Sequence, residues 1–254
     1  LVDEYNIIEF NTAIKPYAFR YFFQQGIDKV FYIDPDILFF DNIDPILDSL
    51  DRYTFALTPH ITKLIEDKSI YQLLLGTINT GSFNLGFLGL KKNEESISFV
   101  NWWRSHMAEY GHNNILNGQF YDQKLFNLIP AISASYKVID DFGCNVAEWN
   151  LHERTITKEN ENYLVNGKSL KFFHYSNVRI TNTQDNIDSN PLLRKADSPA
   201  LIELIDLYIS QNHRHGYEKY KAIIPNYKFA PNIHRTSRLA MYFYKLYKLW
   251  RGKR

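Results

Sequence analysis

The chain has 254 residues, 45% hydrophobic and 16% aromatic, enough to bury a sizeable core without disulfides or a structural metal. Its single cysteine, Cys144, excludes an intramolecular disulfide framework and suits a reducing compartment. No run reaches about 20 consecutive apolar residues and no basic-then-apolar leader is visible, so the expectation is a cytoplasmic protein, soluble or peripheral to the inner face of a membrane.

In chain order, residues 9–25 place Ala13, Ile14, Tyr17, Ala18, Tyr21 and Phe22 at helical spacing, with Asn11 or Thr12 as the cap and Gly26 as the stop. Opening on a helix departs from a parallel α/β nucleotide fold, which begins with a strand. Residues 29–41 follow, an apolar run of Val, Ile, Phe and Tyr that fits the central strand of a sheet covered on both faces. Asp34 and Asp36 interrupt it around Pro35, which removes a backbone donor and ends the strand there. Two hard oxygen ligands near one point suggest Mg²⁺ or Mn²⁺. A plain Asp-Pro-Asp turn is the competing reading, and the apolar flanks weigh against it.

Asp44-Pro45-Ile46-Leu47 opens a short helix, and Tyr53–Leu57 reads as a strand that ends at Thr58-Pro59-His60. His60 is a minor site candidate, since a histidine after a strand is more often a hydrogen-bonded loop residue. Residues 61–80 suggest a helix and then a mobile loop. Residues 79–90 form a strand whose glycines allow close approach of backbone or ligand. Residues 94–110 form an amphipathic helix whose Phe99, Trp102, Trp103 and Met107 are core rather than a stacking platform. A further helix starts at Phe120 and ends at Pro130, with Asp122 and Gln123 in its first turn, where an acid also favours the helix dipole. Residues 144–154 are too polar for a core strand and read as an active-site loop. Tyr163–Val165, an Asn166-Gly167 turn and Leu170–Ser176 read as a hairpin, with His174 near the end of its second strand. A helix spans about Pro199 to Gln211.

The net charge of +1 conceals a split: residues 219–254 carry ten Lys or Arg and no acid, which leaves nineteen bases against twenty-eight acids before them. Leu239, Tyr242, Phe243, Leu246, Leu249 and Trp250 share one face of residues 238–250, opposite Arg238, Lys245 and Lys248. Such a helix either docks on the body or meets an anionic membrane through residues 232–254, and periodicity does not separate the two. No specific nucleic-acid partner is expected, because no recognition fold accompanies the charge.

Tyr32-Ile33-Asp34-Pro35-Asp36-Ile37-Leu38 resembles the Asp-x-Asp motif of GT-A nucleotide-sugar glycosyltransferases, particularly bacterial ones. Thr12-Ala13-Ile14-Lys15-Pro16 resembles the segment before that motif, which implies a donor contact for Lys15, although a solvated lysine is the simpler reading of the residue itself. Phe83-Asn84-Leu85-Gly86-Phe87 resembles the strand whose asparagine binds the donor sugar, and Asp122-Gln123 the acceptor-side catalytic pair. The run from Asn145 to Leu151 resembles a loop of related transferases, with Asn145 and Trp149 as its candidate site residues. His174-Tyr175-Ser176-Asn177 resembles the segment whose histidine completes the metal site with Asp34 and Asp36; Asn177 stands where the family has glycine, and Arg179 would supply donor-binding charge in place of lysine. Imidazole favours Mn²⁺ over Mg²⁺ in that set.

The resemblance implies an α/β GT-A (Rossmann-like) mixed sheet flanked by helices, lacking its first strand, with a basic C-terminal helical tail. A catalytic domain over residues 1–197, incomplete at its start, and a helical extension over 198–254 are the expected organisation. The implied function is sugar transfer from a nucleotide-diphosphate donor to a saccharide or lipid-linked acceptor in bacterial surface polysaccharide synthesis. The His174 segment is closest to the retaining lipopolysaccharide-type galactosyltransferase and glycogenin-like group, but no residue identifies the stereochemistry. A metal-dependent phosphoester hydrolase and a catalytically silent sugar-binding module are the alternatives.

Overall fold

The computed structural model describes residues 5–196, 198–224 and 229. The strands in chain order are β1 (Lys29–Ile33), β2 (Ile37–Phe39), β3 (Phe55–Pro59), β4 (Phe83–Lys91), β5 (Asn113–Asn114), β6 (Gln119–Phe120), β7 (Tyr136–Val138), β8 (Ile156–Glu159), β9 (Asn162–Val165), β10 (Lys168–Ser169) and β11 (Phe172–His174). The main sheet is mixed, in the order β1-β4-β3-β7, with β4 antiparallel to both neighbours and β3 parallel to β7. This corrects the expected place of the Asp-Pro-Asp strand. Among the described residues β1 is an edge strand, and the inner position belongs to the long, buried β4. Glycine explains the exchange: a Cβ on Gly89 would lie 2.4 Å from Cε1 of Phe31, so only a bare backbone lets β1 pack so closely.

Helices α1 (Ile7–Ala13) and α2 (Lys15–Gln24) replace the single helix expected over 9–25. The cap is Asn6, whose side chain accepts from the backbone of Ile8 and Glu9, rather than Asn11 or Thr12. The buried face of α2 is Lys15, Pro16, Phe19 and Phe23. Ile14, Tyr17, Tyr21 and Phe22, equally periodic, point outward at 40–57% exposure. Periodicity detected both faces and could not rank them. Helices α3 (Asp44–Leu47), α4 (Tyr71–Thr80) and α5 (Glu94–Tyr110) follow. The order within 61–80 is loop then helix, the reverse of the expectation, because Glu153 pins the loop by accepting from Thr62 and Lys63. Past a 3-10 segment at Gln123–Leu128, α6 (Ile129–Ile132) holds Pro130 in its first turn, where a missing N–H costs nothing, instead of ending there.

One core cluster joins α2 and α5 to a sheet face through Phe19, Phe55, Leu88, Phe99 and Trp103. A second, smaller cluster includes Ala56 and Phe87, which alternate with those sheet positions, together with Ile37 and Phe172. After α7 (Thr183–Ser189) and α8 (Pro191–Lys195), α9 (Pro199–Arg214) buries Leu201, Leu204 and Ile205 against Phe173, Tyr175 and Val146. No helix of the described residues is long and apolar enough to cross a membrane. The amphipathic helix expected over 238–250 and the membrane contact through 232–254 lie outside the described residues.

The Asn166-Gly167 turn forms as expected, with φ of 52° and 80°. Its second strand, however, stops after Lys168–Ser169, and the chain leaves to pair β11 with β2, His174 opposite Ile37 and Phe173 opposite Leu38. That change of partner carries His174 to the residue after Asp36.

Candidate metal and donor site

Asp34 and Asp36 flank Pro35 in the turn between β1 and β2, closed by a bond from Ile37 N to Asp34 O at 3.2 Å. Tyr175 N donates to Asp36 O at 2.8 Å, so β11 holds the same turn from its other side. One ligand atom each from Asp34, Asp36 and His174 fall within 4.8 Å of one another. His174 Nε2 lies 3.2 Å from Asp36 Oδ1 and 3.8 Å from Asp34 Oδ2. The imidazole is 3% exposed, while both carboxylates remain partly open. Burial raises the Asp36 carboxyl, but the hydrogen bond and charge of His174 outweigh it and leave it below its ordinary value.

The floor of this cluster is a bulge in β4. Leu57 pairs with Leu88 but Thr58 pairs with Asn84, which leaves Leu85, Gly86 and Phe87 opposite a single step of β3. The buried Thr58 hydroxyl spans the bulge, 2.8 Å from Asn84 O and 3.1 Å from Phe87 O. Gly86 then faces the site: a Cβ there would meet His174 Cε1 at 2.4 Å and both Asn84 Oδ1 and Asp34 Oδ2 at 2.8 Å. Asn84 is thereby brought beside the carboxylates, its Oδ1 accepting from Gly86 N at 3.1 Å.

Lys15 is buried rather than solvated. Its ammonium donates to Leu85 O at 3.2 Å, lies 3.4 Å from Asp122 Oδ2, and sits 4.4 Å from the centre of the Tyr32 ring. Asp122, 1% exposed, makes no capping bond to the turn that follows it, so its carboxylate serves this pair instead of a helix end. Burial raises its pKa, with Asp34 adding to the rise and Lys15 opposing it incompletely. Gln123 ties three segments, its Oε1 accepting from Leu85 N at 3.3 Å and Asn84 Nδ2 at 3.4 Å while Nε2 donates to Thr80 O at 3.0 Å. Arg179 stands apart. It is exposed, its backbone is tied to Asn186, and its side chain has no hydrogen bond or ion pair among the described residues.

Two parts of the site escaped the sequence reading. Tyr32 donates to Asp34 Oδ1 at 2.5 Å, and burial followed by Asp34 raises its phenol strongly. Its signal was the two-residue spacing from Asp34, which puts both side chains on one strand face. Thr58 gave none, because a bulge depends on a distant pairing. His60 is a buried, neutral neighbour whose pKa is pushed down to about 4 by burial, with Nδ1 bonded to Gly81 O at 2.7 Å. Trp149 packs edge-on against both His60 and His174, with ring centres 5.4 and 5.3 Å apart.

Two carboxylates and an imidazole, partly open and facing a bare glycine that any Cβ would fill, fit a divalent cation that keeps positions for further ligands.

A family model, nucleotide-diphospho-sugar transferase, matches residues 12–190. The uncharacterized protein YfnF of Bacillus subtilis (strain 168) is 26% identical over 166 residues, covering 63% of this chain and 52% of that protein. The uncharacterized protein YfnD of the same strain is 22% identical over 182 residues, covering 70% and 56%. The chain thus spans about half the length of the curated relatives it matches. Among solved structures, a glycosyltransferase involved in the glycosylation of the major capsid of PBCV-1 aligns with a TM-score of 0.44 at 12% identity, over 72% of this chain and 77% of that one. With well over half of its residues matched by one family model, the chain belongs to the nucleotide-diphospho-sugar transferase family.

Proposed function

We propose that this protein transfers a sugar from a nucleotide-diphosphate donor to a saccharide or lipid-linked acceptor, with a divalent cation held by Asp34, Asp36 and His174. The observation that carries the reading is the convergence of those three side chains on the Gly86 bulge, beside Asn84, in a member of this family. Mn²⁺ suits the set better than Mg²⁺ because one ligand is imidazole. When bound, such an ion supplies positive charge against the departing diphosphate. Asn84 orients the donor sugar, and Tyr32 holds one oxygen of Asp34 so that the other faces His174. Asp122 is buried against Lys15 and supports the strand that carries Asn84 through it, rather than meeting an acceptor, while Gln123 fixes that strand directly. Lys15 acts in this scheme through Asp122 and Leu85, and Arg179 is an exposed cation that we assign to the donor phosphates. Bacterial surface polysaccharide synthesis is the setting we assign.

Mass-spectrometric screening of the protein with Mn²⁺, a panel of nucleotide sugars and saccharide acceptors tests the proposal. Acceptor-dependent loss of one donor, absent in Asp36→Asn, is the expected result. Phosphoester cleavage indifferent to any acceptor would favour a hydrolase, and donor binding without turnover a silent sugar-binding module.

A further inference from the structure

His174 offers Nε2 to the carboxylate cluster, and a nitrogen that ligates a cation must present a lone pair, so the ring proton belongs on Nδ1 and needs an acceptor there. Asn145 Oδ1 lies 3.3 Å from His174 Nδ1. Asn145 is 1% exposed and adopts φ of 52°, a left-handed conformation that asparagine tolerates better than most residues.

That backbone is itself held. Asn150, fully buried, donates to Asn145 O at 2.9 Å and to His60 O at 3.2 Å, and accepts from Ala147 N at 3.0 Å. Beyond the left-handed turn, Val146 O accepts from His174 N at 2.7 Å, so the residue after Asn145 fixes the backbone of the histidine whose ring Asn145 meets. Trp149 closes over that ring from the same loop.

We propose that Asn145 is a positioning residue for the cation site, setting the tautomer and orientation of His174 through Nδ1, with Asn150 locking the loop that delivers it. The proposal rests on the metal reading above and deepens it. It assigns to Cys144–Leu151 a purpose in the second layer of the site rather than direct contact with donor or acceptor.

The test compares Asn145→Gly, which keeps the left-handed backbone but removes the acceptor, with Asn145→Asp, which keeps both. Mn²⁺ binding is followed by electron paramagnetic resonance, alone and with inorganic pyrophosphate. Nitrogen NMR of histidine-labelled, metal-free protein reports the His174 ring, assigned with His174→Gln. Asn145→Gly should weaken Mn²⁺ about 10–100-fold, the usual effect of losing an outer partner of a metal-bound histidine, and shift the Nδ1 resonance while the protein stays folded. Asn145→Asp should bind at least as tightly as wild type. Wild-type Mn²⁺ affinity in Asn145→Gly, or an unmoved His174 Nδ1 resonance, overturns the proposal. If wild type itself binds no Mn²⁺, the metal reading fails separately, and the resonance still decides whether Asn145 orients the ring.

Discussion

Placing a single methyl group at Gly86 is the sharpest perturbation the site allows. Nothing about the backbone of Gly86 forbids alanine, since its φ lies outside the left-handed region. The obstacle is contact alone. The new Cβ would lie 2.4 Å from His174 Cε1 and 2.8 Å from Asp34 Oδ2, against about 3.5–4.0 Å for a relaxed carbon pair, so the cluster must give by roughly 1 Å. His174 has little room to move, being buried between Trp149 and the strands. Overpacking of this kind costs about 1–3 kcal/mol. Because cation–oxygen distances are confined to about 2.0–2.6 Å, the same shift should lower Mn²⁺ affinity at least about tenfold, as for other losses of outer support. Gly89→Ala is the matched control. Its Cβ also meets a neighbour at 2.4 Å, the Phe31 ring, but three residues away, about 10 Å along the strand. Denaturant unfolding and Mn²⁺ resonance titrations on both variants should show comparable stability losses, with affinity lost only in Gly86→Ala. Equal affinity losses in the two, or none in Gly86→Ala, would refute the assignment of Gly86 as the floor of a cation site.

Thr58→Val keeps the shape of the bulge but leaves the Asn84 and Phe87 carbonyls without their shared donor; urea unfolding should show a loss of about 1–3 kcal/mol. Lys15→Met strands the Asp122 carboxylate in the core and should cost about 3–5 kcal/mol near neutral pH, whereas the Lys15→Met, Asp122→Leu pair should recover much of that loss in thermal unfolding. His60 is held at about 4 when folded against 6.5 as its ordinary value. The unfolded chain therefore binds the extra proton first, and stability should fall as pH drops from 6.5 to about 4. The His60 contribution approaches about 3 kcal/mol at the acid end. His60→Asn, which retains a donor for Gly81 O, should remove that part of the slope in a pH series of unfolding curves.

The two carboxylates around Pro35 were legible from residue types alone, whereas Asn84 and His174 entered as site candidates through the resemblance of their segments to the family. The core role of Phe99, Trp103 and Met107 followed from patterning, whereas the mixed sheet flanked by helices was implied by the family resemblance. What patterning could not supply was choice of partner. Leu170–Ser176 reads as the return strand of its own hairpin, and only the long-range pairing of Phe172–His174 with Ile37–Phe39 moves it. The bulge at Leu85–Phe87 is set by β3 twenty-six or more residues earlier, through Thr58. In α2 both candidate faces were apolar, and the buried one was decided by α5, not by local spacing. Lys15 looked like a surface lysine because its carboxylate partner lies far along the chain at Asp122. The roles of Asn145 and Asn150 depend on one left-handed residue that no composition signals.

The central claim is that Asp34, Asp36 and His174 form one cation site that works with a nucleoside diphosphate. Mn²⁺ titration followed by paramagnetic resonance, with and without nucleoside diphosphates, on wild type, Asp36→Asn and His174→Ala tests it most directly. A single Mn²⁺ site is expected in wild type, tightened by a diphosphate and lost in both variants while their folded circular dichroism persists. Mn²⁺ binding that survives both substitutions, or no binding by wild type even with diphosphate present, would contradict it.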